Sequence, residues 1–99
     1  ANRAGVHMMP DPVLLIEILS PSNVEDTWGN IALYATIPSV REILIVDSRA
    51  IEAQILRRGD DNNWPLQPVT IAADGKIQLT SIGLELPIAE AYRGTHLVA

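Results

Sequence analysis

Two short, almost unbroken apolar runs dominate the chain: Val13-Leu14-Leu15-Ile16-Glu17-Ile18-Leu19 and Glu42-Ile43-Leu44-Ile45-Val46-Asp47. Runs of this length are too short for buried helices, and when bounded by turn residues they read as strands covered on both faces. Pro12 and Ser20-Pro21-Ser22 bound the first run. Between the two runs, Val24, Trp28, Ile31 and Ala35 recur at helical spacing. Ser22-Asn23-Val24-Glu25 matches a capping box, a hydroxyl followed three residues later by Glu. Pro38 stops the helix, because the residue before a proline avoids helical geometry. A helix is therefore predicted over 24–37. Gly29 weakens it by about 1 kcal/mol relative to Ala.

Downstream the pattern changes. Ile51 to Leu56 alternates apolar and polar residues and predicts a third strand. Arg57 to Asn63 is a turn rich in Gly, Asp and Asn. Trp64 to Ile71 predicts a fourth strand, and its two prolines, Pro65 and Pro68, place it at an edge. After the turn Ala73-Asp74-Gly75, Lys76 to Leu79 predicts a short strand, and Ser81 to Leu86 leads into a short helix over 87–92. The expected class is α/β: a mixed sheet with a strand-helix-strand unit followed by an antiparallel meander. Residues 1–12 read as an arm, 13–93 as the domain and 94–99 as a tail.

Composition bounds the function. The 99 residues suit one domain with a modest core. No apolar stretch is long enough to span a bilayer. The N-terminus lacks the basic-then-apolar layout of a secretory signal, and a cytoplasmic protein is expected. With no cysteine, disulfides and thiolate metal sites are excluded. The formal charge is −5 with only seven Lys plus Arg, and Arg57-Arg58 is the sole basic run. Affinity for DNA comes mainly from cations that neutralise phosphates, so charge alone does not point to nucleic acid.

Glu17 is the residue that asks for a chemical explanation. A carboxylate inside a buried apolar strand must be paired, protonated or bound to a cation. One reading is structural, a Glu paired with a buried Arg or pointing into a cleft at the strand end. The other is a metal-binding or acid–base carboxylate. The remaining candidates have simpler roles. Asp47 caps the turn after its strand, and Trp28 and Trp64 are core or interface anchors. Glu25 and Asp26 suit a helix N-terminus electrostatically. His7 belongs to the arm and His96 to the tail.

Two segments together resemble a known family. Pro12 to Ser22 is similar to a strand ending in E-x-L-S-P-S. Tyr34 with Ile37-Pro38-Ser39-Val40-Arg41-Glu42-Ile43-Leu44-Ile45-Val46-Asp47 is similar to that family's helix end and its R-E-Y-W-I-V-D strand. The family is the Uma-two family of restriction endonucleases, within the PD-(D/E)XK nuclease superfamily, and the resemblance covers residues 10–93. It implies a partial restriction-endonuclease-like core and hydrolysis of DNA phosphodiesters with Mg²⁺ or Mn²⁺ held between an Asp and a Glu on adjacent strands. It also implies a Lys that positions the attacking water. Glu17 falls at the family's Glu. The Lys position, four residues before Tyr34, is Asn30, which can orient a water but carries no charge. Asp26, Asn30 and Tyr34 share one helix face at four-residue spacing. The family's Asp belongs to an earlier strand that the chain is expected to lack.

Asp11 is the remaining candidate for a second metal ligand. Six strand residues separate it from Glu17 by roughly 20 Å unless the chain bends at Pro12. A degenerate or partial nuclease is the first expectation. A non-catalytic module that self-associates through an exposed strand edge is the second, and a homo-oligomer is expected in either case.

Overall fold

The computed structural model describes residues 11–93. Its elements run β1 (Leu14–Leu19), α1 (Val24–Tyr34), β2 (Glu42–Asp47), β3 (Ala53–Arg57), β4 (Val69–Ile71), β5 (Lys76–Leu79), β6 (Leu84–Pro87) and α2 (Ile88–Ala91). The first four strands form one mixed sheet in the order β1-β2-β3-β4, and β5 and β6 form a separate hairpin. β1 pairs parallel with β2, as a strand-helix-strand crossover requires, and places Glu17 opposite Ile45. β2, β3 and β4 then run antiparallel to one another. The α/β class and the meander expected from the sequence are both present.

The sheet has two covered faces. On one, Leu44, Ala53, Ile55 and Ile71 pack with Ile77 and Leu79 of the hairpin and with Ile88 and Tyr92. On the other, Ile43, Ile45 and Leu56 pack with Val40 and with Ile31 of α1. β2 and β3 each contribute to both layers, and Ile43 and Ile45 are 0% and 1% exposed. Burying a side chain of that size contributes about 1.5–3 kcal/mol. No helix among the described residues is long and apolar enough to cross a membrane.

Several expectations are corrected by packing. β1 is not covered on both faces. Among the described residues it is an edge strand, and its alternate residues Ile16 and Ile18 stay 55% and 62% exposed. Helix α1 ends at Tyr34 rather than residue 37, and turns carry the chain to Pro38. Its buried residues are Thr27 and Ile31, whereas Val24 and Trp28 remain exposed. The capping box does not form: Asn23 is the cap residue and makes no side-chain cap bond. Its side chain closes the preceding turn, with Oδ1 accepting from the Ser20 amide at 2.7 Å and Nδ2 donating to the Ile18 carbonyl at 3.2 Å.

Further along, Pro65 and Pro68 confine the fourth strand to Val69–Ile71, at an edge as expected. Residues 84–87 form a strand, where the sequence leads directly into a short helix. The arm and tail lie outside the described residues except for Asp11 and Pro12, and so do His7 and His96.

Candidate functional site

Strand alternation sends Leu15, Glu17 and Leu19 to the α1 side of the sheet. Leu15 and Leu19 pack there against the cluster around Ile31 and Ile45. Glu17 lies between them and is half-buried, not sealed in. The Tyr34 hydroxyl, at the last position of α1, donates to Glu17 Oε2 at 3.1 Å. Burial pushes the Tyr34 phenol above its ordinary value of 10.0, and the hydrogen bond to Glu17 and the negative charge of that carboxylate push it the same way. Among the described residues, Glu17 Oε1 accepts no hydrogen bond. Among the described residues, no arginine pairs with Glu17.

Asn30 and Asp26 are exposed on α1, one and two turns before Tyr34. A helix rises about 1.5 Å per residue, so Asn30 is displaced about 6 Å along the axis from the residue that touches Glu17. Asp11 is placed differently. The Val13 carbonyl accepts from the Arg41 and Glu42 amides, and the Pro12 carbonyl accepts from Ser39 Oγ at 2.7 Å. These bonds hold the chain ahead of β1 alongside residues 39–42, beyond the end of the strand away from Glu17. Leu14 to Glu17 alone covers about 10 Å, so the structure does not bring Asp11 to Glu17. Among the described residues no group of three or more His, Cys, Asp or Glu side chains could enclose a metal.

The carboxylate that is truly buried is Glu42, 1% exposed at the start of β2 on the hairpin side. Arg57 Nε donates to its Oε2 at 2.8 Å, and the Thr80 amide and hydroxyl each reach the same oxygen at 3.2 Å. The Ser81 amide donates to Oε1 at 2.7 Å. Burial alone would raise the Glu42 carboxyl, but the hydrogen bonds from Ser81, Arg57 and Thr80 outweigh it and hold the group below its ordinary value. Every oxygen is satisfied, so Glu42 pins the hairpin to the sheet and is not free for chemistry. Its partners lie 15 to 39 residues downstream, too far along the chain for a local pattern to reveal them.

Asp47 behaves as expected: its Oδ1 accepts from the Arg49 amide at 2.7 Å and the Ala50 amide at 3.2 Å, closing the turn. Beside it, a hollow of about 470 Å³ opens where β1 and β2 end, lined by Leu19, Ser20, Pro21, Val24, Asp47 and Arg49. Leu19 is one pleat beyond Glu17 on the same face, but Glu17 itself does not line the hollow. Most cations are committed internally. Arg41 and Arg58 bind backbone carbonyls, Arg57 pairs with Glu42, and Arg93 pairs with Glu90.

The site is a single tethered, half-buried carboxylate on an edge strand, among the described residues, of a mixed α/β sheet. The profile of the Uma2 family, described as "Putative restriction endonuclease", matches residues 2–89, and the chain belongs to that family. It is also 32% identical over 94 residues to the uncharacterized protein slr1290 of Synechocystis. That match takes in 94% of this chain and 48% of the relative, so the chain spans about half the relative's length. No solved structure matches the chain significantly.

Proposed function

We propose that this chain carries part of the active site of a divalent-metal-dependent endonuclease that hydrolyses DNA phosphodiester bonds. The observation that supports it most directly is the state of Glu17. One of its oxygens is fixed by Tyr34, and the other accepts no bond among the described residues. Carboxylate oxygens suit Mg²⁺ or Mn²⁺, and such ions are often held by one or two carboxylates together with waters and substrate phosphates. The donor set therefore fits a hard cation in kind, with Glu17 supplying one protein oxygen.

When bound, the metal would stabilise negative charge on the phosphodiester. Asn30, as the neutral residue at the lysine position, would orient the attacking water through its side-chain amide. Water adds to phosphorus, the bond to the leaving oxygen breaks, and a proton passes to that oxygen. The second carboxylate is assigned to a strand added at the free edge of β1. Asp11 would need the chain to bend back at Pro12 to serve in that role. A DNA-cleaving enzyme of this kind would act in the cytoplasm.

The test is plasmid nicking in Mn²⁺ by the wild type, Glu17→Ala and Asn30→Ala. Wild-type activity, a Glu17→Ala loss of about a hundredfold or more, and a smaller loss for Asn30→Ala support the reading. Equal activity in the wild type and Glu17→Ala overturns it. A second reading, a non-catalytic module assembling as a homo-oligomer, is favoured by the exposed Ile16 and Ile18 on the β1 edge. Absence of nicking by the full-length protein would select it.

A further inference from the structure

Helix α1 ends without a basic residue in its last turn, although the carbonyls at a helix C-terminus attract positive charge. The cation comes from elsewhere in the chain. Arg58 Nη2 donates to the Ala35 carbonyl at 2.5 Å, and Nη1 donates to Pro38 at 2.9 Å and to Ile37 at 3.4 Å. Trp64 Nε1 donates to the same Ala35 carbonyl at 3.0 Å. The Arg58 guanidinium lies over the Trp64 ring, 4.7 Å from its centroid, a contact that fixes its plane as well as its charge. Arg41 holds the loop that carries the pair: its guanidinium donates to Asn62 Oδ1 at 2.9 Å and to the Gly59 carbonyl at 3.0 Å. The Arg58 amide donates back to the Arg41 carbonyl at 2.9 Å.

The residue immediately before Ala35 is Tyr34, whose hydroxyl reaches Glu17. We propose that Arg58, seated on Trp64, is a positioning residue for Glu17 that acts through Tyr34. Helix ends fray unless their carbonyls are satisfied. The clamp on Ala35 fixes the last turn, the turn fixes the phenol, and the phenol selects one orientation of the carboxylate. A metal-ligating side chain is commonly oriented by such an outer partner. Lysine would supply the charge but neither the stack nor the forked donors. Arg57-Arg58, the only basic run in the chain, therefore works inside the protein and not on a polyanion. The functional consequence rests on the reading of Glu17 as a metal ligand, but the coupling can be measured without it.

The experiment is NMR on the full chain at neutral pH, following the cross-relaxation peak between the Tyr34 ring and the Glu17 side chain, then adding Mn²⁺. Variants are Arg58→Ala, Arg58→Lys and Trp64→Phe, the last keeping a ring to stack on while removing one donor. The expected result is loss of the peak in Arg58→Ala, partial loss in the two milder variants, and unchanged peaks between Tyr92 and its neighbours across the sheet. Paramagnetic broadening at Glu17 should then need about tenfold more Mn²⁺ in Arg58→Ala. If Arg58→Ala does not fold, the two milder variants decide. A peak at wild-type strength in every folded variant overturns the proposal. If the peak responds as expected but Mn²⁺ broadens Glu17 in no variant, the metal reading fails and the positioning role stands.

Discussion

Glu17 and Glu42 are both strand carboxylates with aliphatic neighbours in sequence, yet they sit in opposite situations. Among the described residues, Glu17 meets one phenol and its other oxygen accepts no bond, whereas Glu42 is enclosed by four donors. The difference makes a prediction about acid stability. The Glu42 carboxyl is held below its ordinary value in the folded protein. Its contribution is therefore present above the unfolded value and lost as pH falls through the lower folded value. The wild type should lose stability progressively as pH drops below about 4.5, and Glu42→Gln should show a flatter acid limb. At neutral pH the variant should be less stable by about 2–3 kcal/mol. That is below the range for a fully buried broken pair, because the Arg57 side chain is 35% exposed. Urea denaturation across pH reads both effects, and parallel acid limbs for the two proteins would remove Glu42 from the account. The sequence pointed to Glu17 because it interrupts an apolar run, while Glu42 at the head of a run looked like a strand end. Burial of Glu42 depends on Thr80 and Ser81, which no local pattern connects to it.

At the level of elements, what the sequence disclosed and what it hid separate by range. β1, α1, β2 and β5 were legible because apolar periodicity and prolines are local signals. The edge position of β1 was not, since an apolar run reports burial in general and not which side a neighbour occupies. The rotation of α1 was misread for a related reason. Thr27 faces the sheet and Trp28 does not, because the crossover geometry, not hydrophobicity alone, sets the helix face. Strand β6 was passed over because its four residues contain Pro87 and only Leu86 is half-buried among them. It is defined by the turn that precedes it. Leu79 faces Leu84 across the loop Thr80-Ser81-Ile82-Gly83, and Gly83 has a φ of +67°. A side chain in that conformation is strained by about 1–2 kcal/mol. Gly83→Ala should therefore lower stability by about that amount although no atom crowds the added methyl. The strain falls on the hairpin that carries the Glu42 donors, so amide exchange should accelerate first at Thr80 and Ser81. A variant as stable as the wild type would show that the turn is free to readjust.

Across the whole molecule, the two edges of the sheet formed by the described residues differ in character. β4 ends it with three residues directly preceded by Pro68, a short edge that resists further pairing. β1 ends it with six residues, no proline within the strand, and apolar side chains at every position but Glu17. Ile16 and Ile18 lie on the hairpin side of that edge, 55% and 62% exposed, beside a ladder with no partner among the described residues. Such an edge is a template for another strand. Whether the strand comes from a further part of the protein or from a second copy, pairing would extend the sheet past Glu17 and bring new side chains to its side of the α1 layer. If a second copy supplies that strand, the chain should associate in solution. Ile18→Lys places a charge on the contacting face without touching the buried layers, so it should dissociate the assembly while leaving the fold intact. Sedimentation velocity over a range of concentrations tests this. A wild type that sediments as a monomer throughout would refute self-pairing. An assembly unmoved by Ile18→Lys would place the contact elsewhere on the surface.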